Sequence, residues 1–124
     1  MIRGVTPTVY VSDLDRAVRF YGDTLGLRVA LHAPSQWATV AAPDGTNIGL
    51  HPAGAWSPKP GTGGATQVGL AVDQAIDQVV AELQRRGVQF HGPIVNDKQV
   101  RLAFFKDPDG NPLYLCETLT AGTA

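Results

Sequence analysis

The chain has 124 residues, 44% of them hydrophobic, with a net charge of −1 and no block of like charges. That is the size of one ordinary domain with material for a core, and it speaks against nucleic acid or a charged membrane surface as partner. A single cysteine, Cys116, excludes an internal disulfide, and no stretch reads as a signal peptide or a membrane span, so the expectation is a cytoplasmic domain.

Residues 5–11 alternate with period two, Val5, Pro7, Val9 and Val11 against Thr6, Thr8 and Tyr10, which predicts a strand. Ser12 with Asp15 three residues on reads as a capping box. Leu14, Val18, Tyr21 and Leu25 then follow at helical spacing, with Ala17 beside them, up to Gly26. Leu27 to Ala33 is a second strand. Pro43-Asp44-Gly45 is turn chemistry between two short apolar runs and predicts a β-hairpin. Residues 53–66 are mostly Gly, Pro, Ala and Thr, and read as a linker carrying one aromatic, Trp56.

The order then recurs. Gln67 to Val72 is a strand, Asp73 stands where a cap would, and Ile76, Val79, Val80 and Leu83 stripe a helix that runs to Arg86. Val88 to Val95 is a strand, and Pro108-Asp109-Gly110 turns a second hairpin. Recurrence of the Pro-Asp-Gly turn after about half the chain is the most informative feature. The expectation is an α+β fold, one domain of two βαβββ modules. Module 1 covers about residues 4–52, a linker covers 53–66, and module 2 covers about 67–118. Each helix would cover one face of its sheet, leaving the other faces to form a cleft lined by alternate strand residues.

Three segments carry a resemblance: Val9 to Tyr21, Leu25-Gly26-Leu27, and Phe105 to Leu115, which contains Lys106-Asp107-Pro108-Asp109-Gly110-Asn111. Through them nearly the whole chain resembles the vicinal oxygen chelate superfamily. That group includes glyoxalase I, fosfomycin-resistance transferases, extradiol dioxygenases and bleomycin-binding proteins. The resemblance implies a homodimer with two equivalent clefts. It also implies four pseudo-symmetric positions where metal-dependent members carry ligands, commonly His or Glu. Here these positions hold Thr6, Gly49, Gln67 and Tyr114. Divalent ions of catalytic sites want several imidazole or carboxylate ligands, so no metal and no other cofactor is expected.

Trp37, on a cleft strand, and Trp56, on the linker, are suited to stacking on a flat ligand. Tyr10 and Tyr114 add apolar bodies with polar tips on the cleft faces, with Thr6, Thr8, Gly49 and Gln67 as further ligand-binding candidates. His51 and Cys116 lie two residues beyond Gly49 and Tyr114, and both can point into the cleft. Cys116 reads first as a small buried hydrophobe, and His32 and His91 as surface strand histidines. Glu117 reads as solvated, and Asp107 and Asp109 as turn residues. The leading expectation is metal-free binding of a neutral, aromatic or natural-product-like small molecule, as in antibiotic-sequestering members. The alternative is a metal-independent isomerase, cyclase or lyase with His51 or Tyr114 as acid or base. A glyoxalase or dioxygenase with unusual ligands ranks last.

Overall fold

The computed structural model describes residues 1, 3–62 and 66–119, and the chain divides into two compact units. One comprises Met1–Thr62 with Pro108–Asn111, and the other Gly63–Asp107 with Pro112–Ala124. The first contains β1 (Thr8–Val11), α1 (Leu14–Val18), β2 (Arg28–Ala33), β3 (Trp37–Ala41) and β4 (Asn47–Pro52). Its sheet runs β1-β4-β3-β2, with β1 parallel to β4 and the other pairs antiparallel. The second contains β5 (Val68–Ala71), α2 (Ile76–Arg85), β6 (Phe90–Asp97), β7 (Val100–Lys106) and β8 (Pro112–Thr118). Its sheet runs β5-β8-β7-β6 with the same directions. These are the two βαβββ modules that the sequence pattern predicts.

Alternation sorts each sheet into two faces. In the first unit Val9, Val11, Ala38, Val40, Ile48 and Leu50 are buried, and α1 packs on β3 and β4 with Leu14 and Ala17 inward. Tyr21, fully buried just beyond α1, is the largest side chain of this core. Burial of a side chain of that size contributes about 1.5–3 kcal/mol. In the second unit α2 packs on β7 and β8, with Ile76, Leu83, Ala103, Phe105, Leu113 and Leu115 all buried, and the Phe90 and Phe105 rings lie 5.2 Å apart. Gly45 and Gly110 take φ of +92° and +88° in their hairpin turns, a region side-chain-bearing residues avoid.

Both helix starts depart from the sequence expectation. The N-cap of α1 is Asp13, whose carboxylate accepts from Arg16 N–H at 3.0 Å, and not Ser12. Ser12 is instead drawn to Asp109, 97 positions away. α2 begins at Ile76, so Asp73 lies too far ahead to cap it, and its N-cap Ala75 has no capping side chain. The acceptor comes from β8: Glu117 Oε1 takes the Ile76 N–H at 3.0 Å. Glu117 is therefore not merely solvated. After Val18 the first helix widens into a π-helical stretch, Arg19–Thr24, closed by Leu25 N–H to the Phe20 carbonyl at 2.9 Å. The 3.6-residue period ends there, and Leu25 is only half-buried.

The edge strands β2 and β6 are each bulged, between Val29 and Leu31 and between His91 and Val95. Pro93 is tolerated in β6 because that strand is an edge.

Candidate small-molecule site

The register of the first sheet decides which side chains share the face opposite α1. Thr8 and Thr39 both pair with Gly49, and Tyr10 pairs with His51. Val9, Ile48 and Leu50 are thereby committed to the core, and Thr8, Tyr10, Trp37, Thr39, Gly49 and His51 stand on the other face. The His51 ring centroid lies 5.7 Å from that of Tyr10 and 5.9 Å from that of Trp37, with interplanar angles of 57° and 65°. Such tilted and edge-on contacts suit the ring quadrupoles. This cluster contains no Lys, Arg, Asp or Glu.

Gly49 is the floor on which the cluster rests. A Cβ there would lie 2.3 Å from Trp37 Cη2 and 2.7 Å from Cζ2, so the indole occupies the space that any side chain would need. Trp37 is held at its other end as well, where Nε1–H donates to Thr39 Oγ1 at 3.0 Å. The indole is therefore fixed at both ends, with its one donor used. His51 is oriented by Nδ1, which lies 2.8 Å from the Pro52 carbonyl oxygen. Tyr10 is held from its backbone, the carbonyl accepting from Asn111 Nδ2 at 3.0 Å.

The second sheet repeats the device on the face opposite α2. Gly69 pairs with Tyr114, and a Cβ at Gly69 would lie 2.4 Å from Tyr114 Cζ. Phe104 stands 6.0 Å from Tyr114, and Leu102 pairs with Cys116, so this face is mostly apolar.

The residues expected at the site thus fall into groups. Thr8, Tyr10, Trp37, Gly49 and His51 come together on the first sheet. Tyr114 and Cys116 share a face of the second, with Cys116 half-buried and unpaired by any disulfide. Thr6 precedes β1 and its hydroxyl bonds Asn47 Oδ1 at 3.3 Å, whereas Gln67 is exposed ahead of β5. Trp56 is fully exposed in the loop after β4. His32 is turned to α1, with Nε2 3.6 Å from Asp15 Oδ1, and is not part of the cluster. Thr39 escaped the sequence reading because only strand register reveals that it faces Gly49 and can hold the indole.

Thr6, Gly49, Gln67 and Tyr114 offer a hydroxyl, no side chain, a carboxamide and a phenol. Among the described residues no three or more His, Cys, Asp or Glu side chains come together in a way that could hold a metal ion. This donor set does not fit a divalent cation.

The sequence model of the Glyoxalase/Bleomycin resistance protein/Dioxygenase superfamily matches residues 5–115. The chain belongs to this superfamily. No curated protein matches it in sequence. Among solved structures, TnmS3, an antibiotic binding protein from Streptomyces sp. CB03234, is 33% identical with a TM-score of 0.73, covering 95% of this chain and 98% of its own. A superfamily member from Sphaerobacter thermophilus is 31% identical with a TM-score of 0.77, covering 94% and 98%. A virulence protein from Salmonella typhimurium, 21% identical over 96% and 99% with a TM-score of 0.76, shares the fold.

Proposed function

We propose that this superfamily member binds a small, neutral, aromatic molecule against the first sheet and does so without a metal ion. The observation that carries this is the Tyr10–Trp37–His51 cluster, with its indole fixed over Gly49 and tied to Thr39. A rigid aromatic surface with no Lys, Arg, Asp or Glu recognises flat apolar molecules and gives little to a phosphate. The antibiotic-binding description of the 33%-identical Streptomyces protein supports a sequestering role. On this reading the working form is a homodimer, which sedimentation equilibrium tests directly.

The chain has two tryptophans, so Trp56→Phe leaves Trp37 as the sole indole emitter. Titration of this variant with a panel of neutral polycyclic aromatics and natural products should give saturable quenching in the micromolar range or tighter. Trp37→Phe should abolish that signal. Linear, unsaturable quenching across the panel would remove the binding reading.

A second reading is favoured by one feature of His51. Its Nδ1 is engaged by the Pro52 carbonyl, which leaves Nε2 as a base for proton transfer on a bound substrate. In that case His51→Gln retains ligand binding and loses turnover, and unchanged turnover would dismiss His51 as base.

A further inference from the structure

Resting on the binding reading above, we infer that His51 selects among aromatic ligands by hydrogen-bond polarity, taking those that present an O–H donor and disfavouring their O-alkylated counterparts. The argument begins with the Pro52 carbonyl, 2.8 Å from Nδ1. A carbonyl oxygen carries lone pairs and no proton, so the contact is a hydrogen bond only if Nδ1 is protonated. A neutral imidazole has one N–H. With Nδ1 holding it, Nε2 carries a lone pair in the ring plane and can only accept. No side chain or backbone group among the described residues bonds Nε2.

The neighbouring groups leave the choice to His51. Trp37 Nε1–H, the donor that would otherwise compete, is taken by Thr39 Oγ1, and the indole offers a ligand only its π surface and edge. The Tyr10, Thr8 and Thr39 hydroxyls on the same face can each donate or accept and therefore enforce no polarity. With the histidine ring centroid within 6 Å of both aromatics, a flat molecule resting on them brings its rim to His51. A phenolic hydroxyl at that rim donates to Nε2. A methoxy group there sets lone pair against lone pair and loses the bond.

The test uses the intact protein, at a pH where imidazole is neutral, with β-naphthol and its methyl ether as a matched pair in calorimetry. Wild type is expected to bind the naphthol about tenfold more tightly, the worth of one net hydrogen bond. His51→Phe should bring the two together, chiefly by weakening the naphthol. His51→Gln, whose carboxamide can flip to present either its oxygen or its N–H2, should also narrow the preference while leaving both compounds bound. Equal affinities in wild type, or a preference undiminished in His51→Phe, would overturn the inference while leaving aromatic binding intact. Binding of neither compound would remove the aromatic site and the selection with it. Independently, a long-range nitrogen–proton correlation spectrum should show the His51 proton on Nδ1. A proton on Nε2 would sink the proposal even if the naphthol binds.

Discussion

Two glycines in this chain act through what they omit. Gly49 and Gly69 lie in sheets where a single methyl group would occupy the place of the Trp37 or Tyr114 ring. Gly49→Ala must push the indole off the sheet or strain its bond to Thr39. The expected cost is about 1–2 kcal/mol in urea denaturation, with a shift in Trp37 emission and loss of aromatic-probe binding. Unchanged emission and affinity would show that the indole position is not set by Gly49. Such a role is invisible in the amino-acid sequence. A glycine within a strand run announces a close approach but does not say of what, and the partner ring emerges only once register is known.

Among the elements, α2 shows best how a helix can borrow its ends from elsewhere. Its first free N–H is met by Glu117 of β8, and Asp77 in its first turn pairs with Arg101 of β7 at 2.8 Å. Glu117→Ala should cost about 1 kcal/mol and speed amide exchange at Ile76, whereas an unaltered exchange rate would deny the capping role. The Arg101 hydrogen bond, with its charge, holds the Asp77 carboxyl below its ordinary range. A carboxylate whose pKa is lowered on folding stabilises the fold above its unfolded pKa. That contribution disappears as pH falls through the depressed folded value. In an NMR titration of Arg101→Gln, the Asp77 midpoint should move up toward the ordinary carboxylate range, and no movement would disprove the pairing. Strand and helix order was legible here because apolar periodicity is local. The cap was not: Asp73 looked adequate in sequence, and the acceptor actually used lies 41 positions away.

At the scale of the chain, the Pro108-Asp109-Gly110 turn has a second occupation. The Asp109 carboxylate accepts from Ser12 N–H at 3.1 Å and from Arg16 Nη2 at 3.1 Å, and Asn111 Oδ1 accepts from Gly61 N–H at 2.9 Å. The loop comes so close that a Cβ on Gly61 would lie 2.2 Å from the Asp109 carbonyl oxygen. Asp109→Ala should cost about 1–3 kcal/mol and deprotect the Ser12 amide. Full stability with full protection at Ser12 would refute that tie. The sequence showed the two modules and their turns because a repeated pattern and turn chemistry are written in neighbouring residues. It assigned Asp109 a conformational role alone, since no local rule reveals a partner so distant.

That distance also orders events in time. The bonds from Asp109 and Asn111 to Ser12, Arg16, Tyr10 and Gly61 span 97, 93, 101 and 50 positions. During synthesis, Tyr10, Ser12, Arg16 and Gly61 are all made before Asp109 and Asn111, the two residues that tie them. The segment that precedes them must therefore wait, incompletely tied, until that turn has been made. Contacts of such long sequence separation form late because their loop-closure cost falls due first.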